Sequence, residues 1–345
     1  MTANFRSDNE SAVAGPVMEA IVAANEGAAH AYAEDDWSMR LDQAFSDLFE
    51  TPTRVLPMAT GTAANSIALA TVTPPWGSVL CHRQAHVYSD ESGAPEFYGH
   101  GLRLVPVDGA LGRMSPDALA HAYAGCAGHG VHSYVPSAMT LTQSTESGTV
   151  YQPDDMAALN AQARGHGLAT HLDGARFANA VVRLGCSPAD TSWRAGVEMM
   201  SFGASKNGCM AAEALLFFGD ERDSRYETAE RMRKRGGHLF SKMRYVSAQL
   251  LAYINDGLWL ELAGNANEQA ARFAAMVARH AEAELEYPVE ANEVFVRWST
   301  DGFEALERAG IEFLTWPGQD DLGRFVFSHS TTAEDTDRLI AAMGG

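Results

Sequence analysis

A chain of 345 residues, 46% hydrophobic and 20% charged, has a globular composition that excludes disordered and fibrous classes and has room for one large domain and a smaller one. Its net charge of −19 excludes the clustered lysine and arginine that nucleic acid or an anionic membrane surface calls for, and favours a cytoplasmic enzyme acting on a small molecule. Four scattered cysteines without C-x-x-C, histidines without zinc spacing, and no apolar run of about 18 residues argue against a disulfide framework, a catalytic metal, a leader core in MTANFRSDNE and a membrane span.

Residues 1–16 read as an arm in which Ser7, Asp8 and Asn9 are turn or cap residues. Residues 32–37, YAEDDW, form an aromatic and acidic loop. A short strand at 54–58 leads through TGTAAN at 60–65 into an apolar helix ending near residue 73. Small residues that open a helix leave backbone N–H groups and the positive end of its dipole free for an anion, so Gly61 and Thr62 are the expected anion site. Neither G-x-G-x-x-G nor G-x-x-x-x-G-K-[ST] occurs, which lowers the dehydrogenase and NTPase readings.

Strands follow at 79–82 and 102–107, with AHVYSDESGAPEF at 85–97 between them. His86 there is either structural or a base near neutral pH, and Glu91 is spaced to orient it. A glycine-punctuated helix at 118–130 precedes His132, a strand at 138–142 and the loop QSTESG at 143–148. A helix at 154–167 and a strand at 169–173 lead into HLDGAR, where Asp173 closes the strand and Arg176 comes three residues later.

The next strand, 198–202, ends in the turn Gly203-Ala204-Ser205 and then Lys206, flanked by Ser205 and Asn207 instead of acids. A partly buried lysine at a strand end loses its proton readily and becomes a Schiff-base nucleophile; the plainer alternative is an ordinary loop lysine. With a strand at 214–219 the count reaches about seven, and β–α alternation implies a mostly parallel sheet with ligands at its carboxyl ends. A charged helix at 223–235 ends in Arg231, Arg233, Lys234 and Arg235, favourable at a helix C-terminus. A long helical stretch at 248–280 breaks near Asn255-Asp256-Gly257, and strands at 294–298 and 324–328 belong to a smaller domain. The expected organisation is an arm at 1–16, a large domain at 17–245 and a small α/β domain at 246–345.

Asp173 and Lys206 close neighbouring strands, and together they suit pyridoxal phosphate. That cofactor needs an anion at its ring nitrogen and a lysine for covalent attachment. HLDGARFANA and SFGASKNG, with GTAAN at 61–65 and AHVYSDESGAPEF at 85–97, resemble the low-specificity L-threonine and phenylserine aldolases. The likeness runs from Arg6 to about Arg338. It implies an α/β fold of the pyridoxal-phosphate-dependent fold type I, with a mostly parallel seven-stranded sheet and a smaller C-terminal α/β domain.

The resemblance also implies roles. Lys206 holds pyridoxal phosphate, Asp173 holds its ring nitrogen, Gly61 and Thr62 its phosphate, and His86 stacks on its ring. Arg176 takes the ring hydroxyl oxygen or the substrate carboxylate. Ser7 and Arg324 bind that carboxylate, although Arg324 alone reads as a strand-edge surface arginine. His132 enters a neighbouring subunit's site, and one of the four basic residues at 231–235 reaches a phosphate across a dimer. His86 and His132 are the candidate bases. The implied activity is cleavage of L-β-hydroxy-α-amino acids such as threonine, allo-threonine and phenylserine to glycine and an aldehyde. It would take place in a homodimer or homotetramer with shared sites. Another reaction on the same fold, transamination or β-elimination, and a cofactor-binding regulatory protein without turnover are the alternatives.

Overall fold

The computed structural model describes residues 3–126, 128 and 130–344. Seven strands form one sheet in the order Arg54–Met58, Glu213–Phe217, Met199–Gly203, Ala169–Gly174, Val135–Thr142, Gly77–His82 and Arg103–Val107. Only Glu213–Phe217 runs against the rest. Most of the other strands are linked by helices, which return the chain to the same end of the sheet. The connection from Gly203 to Glu213 carries a single short helical turn, so the next strand must come back antiparallel.

Every residue of Gly77–His82, Ala169–Gly174, Met199–Gly203 and Glu213–Phe217 is buried. Continuous burial requires cover on both faces, and the polar side chains these strands carry, such as Ser78, Thr170, His171 and Ser201, are buried with the rest. Side chains alternate between two cores. Leu172, Met200, Phe202 and Leu216 join Phe45, Phe49, Phe177 and Trp259 on one face. Ala169, Met199, Leu215 and Phe217 join Ile67 and Leu69 on the other.

A second, antiparallel sheet has the order Leu314–Trp316, Gln319–Val326, Glu293–Arg297, Glu284–Leu285 and covers a third core. The strand expected at 324–328 begins earlier, at Gln319, and ends at Val326. Gly318, at φ +77°, turns the chain so that Gln319 pairs with Trp316. The run Gln319–Asp321 is exposed, so its polar residues conceal a strand from any reading of apolar periodicity. The helix expected at 118–130 covers Pro116–Cys126, and residues 127 and 129 lie outside the described residues.

The N-terminal segment ties the two sheets together. Ala3–Asn4 pairs in parallel with Ile311–Glu312. The Val326 amide donates to Phe5 O at 2.8 Å, and the Ala14 amide donates to Gly208 O at 2.9 Å, two residues beyond Lys206. The segment between, Arg6 to Val13, therefore crosses from the small sheet to the carboxyl end of the large one.

Candidate active site

At the carboxyl ends of the parallel strands lies a cavity of about 430 Å³. Asn9, Gly61, Thr62, Asn65, His86, Glu91, Asp173, Arg176 and Lys206 are among the residues on its wall. A larger cavity of about 580 Å³, beside Arg164 and Glu198, lies at the opposite ends of the strands and carries none of these groups. Chemistry, not volume, selects the site.

Lys206 sits in the single helical turn Ser205–Asn207, directly after Met199–Gly203. The turn is anchored from several sides. Asn207 Nδ2 donates to Tyr253 Oη at 2.7 Å and to Trp259 O at 2.8 Å, and the Ala212 amide donates to Ser205 Oγ at 3.1 Å. Gly203 is required by close approach: a Cβ there would lie 2.4 Å from Ala175 O. That contact brings the Lys206 turn against the backbone just beyond Asp173. Burial lowers the basicity of Lys206 and Arg176 lowers it further, while Asp8, Asp173 and Glu293 pull the other way. An amine held below its ordinary pKa is a ready nucleophile.

Asp173 ends the neighbouring strand, Ala169–Gly174, and is buried. Its Oδ1 accepts from the Ala175 amide at 3.0 Å and its Oδ2 from Asn65 Nδ2 at 2.8 Å. Asn65 Nδ2 also donates to Glu91 Oε1 at 2.9 Å, and His86 Nδ1 lies 2.9 Å from the same oxygen. One amide thus joins the aspartate to the Glu91–His86 pair. The hydrogen bond to Glu91 raises the basicity of His86 above that of an ordinary histidine, against the effect of burial. Glu91→Gln is therefore expected to move the His86 titration to lower pH, as followed by NMR of its imidazole. A titration that stays in place or moves upward would contradict this coupling.

The helix Gly61–Val72 points its N-terminus at the cavity. Thr60 Oγ1 accepts from the Ala63 amide at 3.2 Å and Thr60 O from the Ala64 amide at 3.2 Å, which leaves the amides of Gly61 and Thr62 for an anion. Four buried polar atoms on the wall, Asn65 Oδ1, Glu91 Oε2, Ser144 Oγ and Glu146 Oε2, have no hydrogen-bond partner among the described residues. Buried polar groups are ordinarily paired, so the wall is made for a polar guest. A lysine amine, a carboxylate on the adjoining strand, a helix N-terminus and unpaired polar atoms fit pyridoxal phosphate.

Arg176 reaches the cavity, but its guanidinium is already engaged. Nε and Nη2 donate to the two oxygens of Asp8 at 2.7 and 2.9 Å, and Nη1 lies 3.3 Å from Glu293 Oε2. Burial alone would lower its basicity; Asp8 and Glu293 outweigh that and raise it. Arg324 does not line the cavity: its Nε and Nη2 donate to Glu293 Oε1 at 3.0 and 2.6 Å. Ser7 does not line it either. Its Oγ caps a helical turn by accepting from the Asn9 amide at 3.2 Å, and the arm reaches the cavity through Asn9.

His132 is not brought to this site. It is exposed and borders another cavity with Arg103, His121 and Tyr134. Arg231, Arg233, Lys234 and Arg235 are also absent from the cavity wall. Arg233 turns inward and donates to Pro57 O at 3.2 Å, while the Lys234 ammonium stands 4.4 Å over the Tyr32 ring.

Asn65, Glu146, Glu213 and Glu293 were given no part in the site by the sequence. Asn65 closes the quoted GTAAN, and its position one helical turn inside the anion-binding N-terminus was a usable signal. Glu146 Oε1 accepts from the His86 amide at 2.7 Å, and burial with Asp173 nearby pushes its carboxyl up to about 7. Glu213, whose Oε2 accepts from the Ala204 amide at 3.2 Å, is likewise pushed up to about 7, mainly by burial.

A family model described as beta-eliminating lyase matches residues 4–300. The chain is 41% identical over 338 residues to the low specificity L-threonine aldolase of Pseudomonas aeruginosa, covering 98% of this chain and 96% of that protein. It is 39% identical, at the same coverage, to the low specificity L-threonine aldolase of another Pseudomonas strain. The solved structure of Leishmania major threonine aldolase matches with a TM-score of 0.92 at 24% identity, covering 99% of this chain and 98% of that one. An aspartate aminotransferase from Rhodobacter sphaeroides matches with a TM-score of 0.73 at 13% identity, covering 100% of this chain and 93% of that one. At these identities the structural likenesses speak for the fold, a mainly parallel seven-stranded α/β sheet of the fold type I kind, as the motifs implied.

Proposed function

Because the chain belongs to the beta-eliminating lyase family of pyridoxal-phosphate enzymes, we propose that it cleaves L-β-hydroxy-α-amino acids to glycine and an aldehyde. Threonine, allo-threonine and phenylserine are the proposed substrates. The observation that carries this reading is the convergence of Lys206, Asp173 and the helix N-terminus at Gly61 on one cavity that also holds His86 and Arg176. The near full-length likeness to proteins named as threonine aldolases supports it.

Bound there, pyridoxal phosphate supplies the electron sink that allows a bond at the substrate's Cα to break. Lys206 is its proposed covalent anchor, the Gly61 and Thr62 amides its phosphate cradle, Asp173 its ring-nitrogen partner and His86 its ring-face partner. Arg176, on the cavity wall, takes the substrate carboxylate in this scheme; Ser7 and Arg324 act from behind that wall, Ser7 by holding the turn that carries Asn9 and Arg324 through the Glu293 it shares with Arg176. Fixing it would orient the substrate's Cα substituents, and so would select Cα–Cβ cleavage. With His86 Nδ1 committed to Glu91, Nε2 is the atom left to take the β-hydroxyl proton. A proton returned to Cα completes glycine. His132 enters this scheme only from a second copy of the chain, in the proposed homodimer or homotetramer.

Incubation of the holoenzyme with each isomer of threonine and phenylserine tests the reading. Glycine is expected together with acetaldehyde or benzaldehyde, and the ratio of rates reports whether an aliphatic or aromatic aldehyde is preferred. No glycine from any isomer would overturn it. β-Elimination is the second reading, favoured by the description of the matching family model.

A further inference from the structure

Two guanidinium groups with proposed roles in carboxylate binding are held by one glutamate, Glu293. It lies on Glu293–Arg297, and the register pairs Glu293 with Val326 and Phe295 with Arg324. Residues two apart on a strand share a face, so Glu293 is the diagonal neighbour of Arg324 across the small sheet. Its Oε1 accepts from Arg324 Nε at 3.0 Å and Nη2 at 2.6 Å. Its Oε2 faces Arg176 Nη1 at 3.3 Å and has no hydrogen-bond partner of its own among the described residues. The Glu293 side chain is 1% exposed. Gly148, at φ +72°, seals it from the large-domain side: a Cβ there would lie 3.0 Å from Glu293 O.

With Asp8 on the other edge of Arg176, the two guanidinium groups already face two carboxylates before any substrate arrives. A substrate carboxylate therefore meets guanidinium groups already engaged. To bond Arg324 or the Nη1 of Arg176 it must compete with a carboxylate tethered beside both. We propose that Glu293 is an internal competitor for the substrate carboxylate: it sets substrate affinity by occupying Arg324 and Arg176, and is partly displaced when an α-amino acid binds. This rests on reading the cavity as an α-amino-acid site, but not on which Cα bond is cleaved. Glu293 acts through the two arginines and is a positioning residue, not a catalytic one.

Glu293→Gln separates this from mere scaffolding. The amide keeps an oxygen to accept from Arg324, so the arginine stays aimed. It puts an N–H group toward Arg176 Nη1, where donor meets donor, and removes one of the two negative charges that face the guanidinium groups. Titration of the holoenzyme with glycine, followed by cofactor absorbance, is expected to give a Kd for E293Q lowered by roughly tenfold, equal to about 1.4 kcal/mol. KM for the amino-acid substrate should fall with it, and kcat should change far less. E293Q should also melt at a lower temperature than wild type without ligand and gain more from added glycine. If E293Q does not fold, Glu293→Asp serves: its carboxylate is withdrawn by one methylene, and Kd should fall in the same direction by less. A glycine Kd that is unchanged or raised in a folded variant overturns the assignment of Glu293 alone. A wild-type holoenzyme that binds no α-amino acid would take down the proposed function and this inference together.

Discussion

Lys206→Ala is expected to leave the fold intact and remove covalent cofactor attachment. The turn that carries Lys206 is held by Asn207, Ser205 and Gly203, none of which uses the lysine side chain. Relieving a buried amine of its desolvation should leave stability unchanged or improved. Turnover should fall by more than about 10⁴-fold, the scale on which losing a covalent nucleophile acts. Borohydride reduction followed by mass measurement checks the chemistry: wild type should gain the mass of the reduced cofactor and the variant should not. A variant that still carried reduced cofactor at this site would assign the attachment to another residue.

Asp173→Asn carries the second largest expected effect. The asparagine Oδ1 can still accept from the Ala175 amide, so the strand end should survive. What is lost is the buried anion opposite the proposed ring nitrogen. Breaking a buried charge pair costs about 3–5 kcal/mol, so kcat should fall roughly 10²–10⁴-fold with cofactor affinity weakened as well. Equilibrium dialysis of the cofactor and single-turnover rates measure the two losses separately. Unchanged cofactor affinity together with unchanged turnover would remove Asp173 from the ring nitrogen.

Glu146, Glu91 and Glu213 surround the same cavity with carboxyl groups whose basicity burial has raised. They are poorly suited to remain charged without a cation nearby. The cavity thus pairs a depressed lysine with elevated carboxyls, the arrangement expected where groups must exchange protons close to neutral pH.

How much of this was legible in the sequence depended on distance along the chain. Apolar runs leading to Asp173 and Lys206 declared these strands of the large sheet, although Thr170, His171 and Ser201 lie buried within them. The helix N-terminus at Gly61 was legible for a local reason also: small residues follow directly on a strand. The small sheet was harder. Its longest strand begins with the exposed run Gln319–Asp321, so only its buried half stood out. The Arg324–Glu293 and Arg176–Asp8 pairs join residues far apart in sequence. Asp8 read as a turn or cap residue, and Glu293 stood just before the strand expected at 294–298; their partners emerge only when the arm and the small sheet fold against the cavity. His132 illustrates the opposite limit. Its proposed role lies with a second copy of the chain, and within one copy it faces a different cavity.

The most direct test of C–C cleavage is to follow L-threonine carrying ¹³C at Cα by NMR in the presence of the holoenzyme. The label is expected at C2 of glycine, with one acetaldehyde formed per glycine and no ammonia released. Label appearing instead in a 2-oxo acid, with ammonia released or an amino group passed to an acceptor, would contradict it in favour of elimination or transamination.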